Sequence, residues 1–126
     1  MLSNSDRKLV SGILTVKRGG KTVCPASRFQ QMVSGKYKLR ILWVLQDGWR
    51  RYSEIKKGLL TGNVDSKEIA PRVLSRELRN LVTMEMVERK DHRIFPLRVE
   101  YRLTRKGRTF LPIIVVIHKW GLRHLV

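Results

Sequence analysis

The run Pro71-Arg72-Val73-Leu74-Ser75-Arg76-Glu77-Leu78-Arg79-Asn80-Leu81 carries two opposed faces at helical spacing. Leu74, Leu78 and Leu81 recur at i, i+4 and i+7, as a stripe packed on a core does. Arg72, Ser75, Arg76 and Arg79 recur at i, i+3, i+4 and i+7 on nearly the opposite side. Pro71 suits a first helical turn, where its missing N–H is not needed. The spacing therefore predicts a helix from Pro71 to about Met84, with one side packed and the other a cationic ridge.

Downstream, Val87 to Lys90 and Val99 to Leu103 read as strands joined by a loop that holds His92, Arg93, Pro96 and Arg98, a hairpin with a basic tip. Thr104 can cap a final helix in which Phe110, Ile113, Ile114, Ile117 and Trp120 share one broad apolar side, with Pro112 expected to kink it. Upstream, Thr61-Gly62-Asn63 breaks the chain. Before that break, Pro25 opens a helix over residues 25–34, with Cys24 at its N-cap, Phe29, Met32 and Val33 on one face and Gly35 at its end. Lys36 to Gln46 forms a second helix with Leu39, Leu42, Trp43 and Leu45 inward and Gly48 as its stop. Arg50-Arg51-Tyr52 reads as a brief strand, and Ser53 as the cap of a helix through Ile55 to about Leu59 whose end Gly58 weakens. Residues 1–23, with Gly19-Gly20 and no sustained period, read as a flexible basic arm or short extra element ahead of one domain over 24–126. The three helices from Lys36 onward, the third of them cationic, followed by a hairpin describe an α+β, mainly α, winged helix-turn-helix with a two-stranded wing.

The chain has 126 residues and a net charge of +17, from 27 lysines and arginines against 10 acidic residues, spread from Arg7 to Arg123. That length suits one core, and that charge points to polyanions; RNA, DNA and acidic membranes would all attract it. The lone Cys24 cannot form an internal disulfide, and Leu9 to Val16 is too short and too interrupted by Gly12 for a secretory signal, so a reducing cytoplasm is expected. The longest apolar run, Phe110 to Ile117, falls well short of the roughly 20 residues that span a bilayer. His92, His118 and His124 stand at no standard zinc spacing with Cys24, no paired carboxylates stand out, and Gly20-Lys21-Thr22 has Thr15 where a phosphate loop needs glycine. No metal, cofactor or enzymatic activity is expected. An RNA-binding or ribosome-associated basic protein is the alternative to a duplex-DNA binder; the charge supports it, but no aromatic-rich stacking strand does.

Cys24-Pro25, Gly35-Lys36-Tyr37 with Ile41-Leu42, Arg51-Tyr52-Ser53-Glu54-Ile55, Leu74-Ser75 with Leu78 and Leu81, and Arg98-Val99-Glu100-Tyr101 with Leu103-Thr104 occur in that order. Together they resemble the HxlR-type family of bacterial transcription regulators over about residues 24–121. The resemblance implies a homodimer held by terminal helices on a palindromic operator, one recognition helix per half-site. It also implies, for some members, oxidant or electrophile sensing through the N-terminal cysteine. Three departures stand out: Ala70 where a capping serine or threonine is usual, a longer loop from Leu60 to Glu68, and Glu85 in place of a common glycine.

Each candidate residue has a plainer reading beside it. Arg72, Ser75, Arg76 and Arg79 could be a solvated face, but after a helix-turn they are placed to meet guanine edges and phosphates. Lys36 and Lys38 open a helix, where backbone N–H groups also favour phosphate. Arg93 at the wing tip is a candidate groove or phosphate contact, and Arg98 is at least as well explained by pairing with Glu100. The apolar side of Phe110, Ile113, Ile114, Ile117 and Trp120 exceeds what so short a chain needs for its own core, so a partner copy is expected there. Cys24 can be a small buried hydrophobe, or a reactive thiolate favoured by a helix N-terminus and Arg28.

Overall fold

The computed structural model describes residues 2–9, 14–61, 69–93 and 98–126, so the expected break at Gly62-Asn63, the loop to Glu68 and the wing-tip Pro96 lie outside the described residues. The chain divides into two compact units, Met1–Ser34 and Gly35–Val126.

The first unit begins with α1 (Asn4–Leu9). Ser3 and Asp6 cap it reciprocally: the Ser3 N–H donates to the Asp6 carboxylate at 3.1 Å and the Asp6 N–H to the Ser3 hydroxyl at 3.0 Å. Strands β1 (Val16–Arg18) and β2 (Lys21–Val23) pair antiparallel around Gly19-Gly20, whose φ values of +57° and +74° are those of a tight hairpin turn that glycine enters without steric cost. α2 (Pro25–Met32) follows, with Cys24 at its N-cap as expected. The segment read as an arm or extra element thus holds a helix and a hairpin. Three-residue strands facing solvent on both sides leave no period to read.

In the second unit, α3 (Lys38–Val44) tightens into a 3-10 turn at Leu45–Asp47 and ends at Gly48, φ +120°. Then come β3 (Arg50–Arg51), α4 (Tyr52–Thr61), α5 (Pro71–Thr83), β4 (Val87–Asp91), β5 (Val99–Leu103), α6 (Arg105–Thr109) and α7 (Leu111–His124). The sheet order is β3-β5-β4, antiparallel throughout, with Arg50 and Arg89 on either side of Tyr101. Ile41, Leu42, Leu45, Ile55, Leu74 and Leu81 are wholly buried and knit α3, α4 and α5 into the core.

Four expectations are corrected. Trp43 does not point into the core: Ile41, Leu42 and Leu45 define the buried side of α3, and the indole, one residue round the helix, is 40% exposed. Ser53 does not cap α4, which starts at Tyr52; the Glu54 carboxylate accepts the Arg51 N–H at 2.9 Å instead. Gly58 lies inside α4, which runs on to Thr61, and admits α3 against it, since a Cβ there would sit 3.1 Å from both Val44 methyls. The final helix is two helices, not one kinked one. Pro112 has no N–H for a continuous ladder, so the chain turns at Phe110 and α7 restarts with proline in its first turn. The turn sends Phe110 into this chain's own core, 4% exposed, which removes it from the apolar side expected to meet a partner.

Candidate nucleic-acid interface

α5 carries the ridge as the spacing predicted. Arg72, Ser75, Arg76 and Arg79 are exposed, while Leu74, Leu78 and Leu81 are buried beneath them. The helix starts at Ala70, whose extended φ and ψ fit an N-cap but whose side chain can accept nothing. The Tyr52 hydroxyl donates to the Pro71 carbonyl at 3.1 Å, tying the first turn to α4. At the far end, the Glu85 N–H donates to Val82 O and the Met86 N–H to Leu81 O, both at 3.0 Å, and Glu85 takes φ +60°. That is the left-handed position at which glycine normally closes a helix.

Beneath the ridge lies a pair that the spacing did not announce. Glu77 occupies the buried stripe, and its carboxylate meets the Lys38 ammonium at 2.5 Å, both side chains only 4% exposed. Arg76 Nε lies 3.6 Å from the other Glu77 oxygen. Gly35, φ +104°, runs so close that a Cβ would lie 3.1 Å from Glu77 Oε2, so glycine is needed there for space as well as conformation. Lys38 is therefore not available to phosphate, contrary to expectation: α3 begins with it and turns it inward to neutralise Glu77. Lys36 lies ahead of α3 and is exposed, its ammonium 5.7 Å from the Tyr37 ring centre. The legible signal was an acid at i+3 from Leu74, inside an otherwise apolar stripe. Arg40 adds a second tie, donating to the Leu59 carbonyl at 2.5 Å.

The wing neutralises much of its own charge. Arg102 pairs with Glu88 and stacks 4.5 Å from the Trp49 ring centre, and Arg89 lies 3.8 Å from Asp91. Glu100 holds Arg98 at 3.2 Å and His92 at 2.6 Å, so Arg98 has the internal partner weighed for it. Arg93 remains exposed at the tip, its N–H held by Asp91 at 3.1 Å and its φ at +50°. At the wing's base a Cβ on Gly107 would lie 2.1 Å from the Met86 carbonyl oxygen, so α6 packs there backbone to backbone.

Along α7, Ile113, Ile117 and Trp120 are 47%, 37% and 57% exposed, and Ile114 is half-buried. Beside this face a groove of about 680 Å³ runs between α3, Gly58 and α7, lined among others by Leu39, Trp43, Val44 and Ile114. Cys24 is half-buried and accepts the Ser27 N–H at 3.4 Å. Hydrogen bonds from the Ser27 side chain and backbone, and a lesser one from Ala26, hold its thiol below the ordinary value. Among the described residues no helix is long and apolar enough to cross a membrane.

Buried-stripe helices with a sheet and wing make this chain a winged helix-turn-helix protein. The HxlR-like helix-turn-helix family matches residues 32–126. An HTH-type transcriptional regulator of Methanothermobacter thermautotrophicus is 36% identical over 89 residues, 71% of this chain, which spans only 63% of that protein's length. The solved structure of the redox regulator HypR in its oxidised form superposes with a TM-score of 0.67 at 29% identity, covering 82% of this chain and 99% of that one. Reduced YodB, a transcriptional regulator from B. subtilis, gives 0.67 at 25% identity, covering 82% and 95%. The chain belongs to the HxlR-like helix-turn-helix family, whose matched relatives are transcriptional regulators.

Proposed function

We propose that the chain binds duplex operator DNA as a homodimer, placing α5 of each copy in a major groove. The observation that carries this reading is the exposure of Arg72, Ser75, Arg76 and Arg79 directly above the buried leucines, an array able to pair bidentately with guanine and to meet phosphate. Lys36 and Arg93 add flanking phosphate or groove contacts. The second copy covers the exposed side of α7, where Ile113, Ile114, Ile117 and Trp120 would otherwise face water. The protein works in the reducing cytoplasm, where Cys24 stays a thiol until an oxidant or electrophile reaches it. That sensing role is supported by the lowered thiol pKa and by likeness to a redox regulator, although Cys24 precedes the family's matched span.

The test selects a duplex from random sequence and measures binding alongside sedimentation. Arg76→Ala or Arg79→Ala should weaken operator binding by about 1–3 kcal/mol and relax preference at one position. The protein should sediment as a dimer at micromolar concentration. Quinone or mild oxidant should lower the affinity of wild type but not of Cys24→Ser. Unchanged affinity in both ridge variants, a monomer, or equal responses of the two thiol forms would each refute the corresponding part.

A further inference from the structure

We infer that the β1–β2 hairpin is an additional phosphate-binding element for duplex DNA, a reading that rests on the DNA binding proposed above. The hairpin lies ahead of residues 32–126, the span that the family model matches. Its register pairs Lys17 with Thr22 and, next to the turn, Arg18 with Lys21. Two cations opposite each other repel at a Cβ separation of about 5 Å, and a two-stranded hairpin has little stability to set against that. No apolar layer compensates: β1 is exposed along its whole length, and in β2 only Val23 is partly covered. Among the described residues Lys17, Arg18 and Lys21 have no acidic partner, and Asp6, the sole acid of residues 1–34, is engaged with Ser3.

The placement is nonetheless built. Gly19 and Gly20 both take left-handed φ with nothing within 4 Å of a would-be Cβ, so glycine serves the turn's conformation and not its packing. The turn holds Arg18 and Lys21 together at the hairpin's end, where a single phosphate between them relieves their repulsion. Lys17, with the Thr22 hydroxyl opposite, presents further donors on the other face. A ribbon with cations on both faces and no buried side fits the polyanionic backbone, whose recognition needs charge and reach but no base edge.

The experiment measures affinity of the full chain for its selected duplex between 50 and 200 mM salt, comparing wild type with Lys17→Gln/Arg18→Gln/Lys21→Gln. Each phosphate neutralised adds about 0.9 to the log–log slope; with one phosphate shared by Arg18 and Lys21 and a second on Lys17, the triple variant should lose roughly 12-fold less affinity than wild type over this range while keeping the same base preferences. A charge-keeping Lys17→Arg/Lys21→Arg variant should retain the wild-type slope. Equal slopes for wild type and the triple variant would overturn the inference. So would a flattened slope in the charge-keeping variant, which would make something other than charge the cause, or an altered base preference in the triple variant. A wild type that binds no duplex at all would instead overturn the DNA-binding reading and this inference with it.

Discussion

Replacing Lys38 by methionine keeps most of the length and apolar stem of the side chain but strips Glu77 of its counter-charge in a site where both are 4% exposed. Losing one partner of a buried pair leaves an uncompensated charge and typically costs about 3–5 kcal/mol, against roughly 5–15 kcal/mol for a whole domain. Arg76, 3.6 Å away and largely in water, can recover only part of this. With a urea slope of about 1–3 kcal/mol/M, the unfolding midpoint should fall by at least about 1 M. Lys38→Met/Glu77→Met should recover most of the loss, because an apolar pair of similar volume avoids the desolvation of both ions. Urea titrations of the four proteins close a double-mutant cycle. The same proteins separate a structural lysine from a phosphate contact: the double variant should bind random duplex DNA with the wild-type salt slope. A single-variant loss below about 1 kcal/mol, or additive effects in the cycle, would refute the pairing. A slope lower by about 0.9 would show that Lys38 contacts phosphate after all.

Glu85→Gly should stabilise the protein by about 1 kcal/mol in urea unfolding, since glycine relieves the left-handed strain at φ +60°. Ala70→Ser should add about 1 kcal/mol by giving α5 the capping oxygen that alanine lacks. Gly107→Ala should cost about 2 kcal/mol or more, because a Cβ 2.1 Å from the Met86 carbonyl must force α6 off the wing. Ser27→Ala should raise the Cys24 pKa, so the thiolate fraction falls at neutral pH and alkylation slows there; near pH 10, where both thiols are ionised, the rates should converge.

The order of elements and the ridge were legible because both rest on periodicity and on the placement of proline and glycine. Leu74, Leu78 and Leu81 could only pack inward once Arg72, Arg76 and Arg79 occupied the other side. Ala70 and Glu85 were legible as departures, and each marks a real local defect: an uncapped start and a left-handed non-glycine residue. What spacing hid was the fate of long polar side chains. Lys38 at a helix start looks like a phosphate ligand until α5 delivers a carboxylate 2.5 Å away. Phe110 belongs to the apolar stripe by count, yet a proline two residues later turns it inward. Trp43 and Gly58 illustrate the same limit, since their roles depend on which neighbouring helix arrives.

The ties on α5 also constrain how a signal could reach the DNA. The helix is held at its first turn by an exposed hydrogen bond from Tyr52 and midway by the buried pair of Lys38 with Glu77, so its orientation within the Gly35–Val126 unit is set by polar contacts with α3 and α4. Such contacts are directional, and shifting the helix by a fraction of an ångström would break them together. An effector acting at Cys24 is therefore expected to move whole protomers relative to each other and leave α5 undisturbed within each. The consequence is measurable in the proposed homodimer, whose two α5 helices would have to meet grooves at fixed spacing. Modification of Cys24 should weaken a two-half-site operator by about 1–3 kcal/mol, the usual size of a coupling between sites, yet leave the affinity for an isolated half-site unchanged. Equal weakening on both probes would place the disturbance inside the protomer and refute this route.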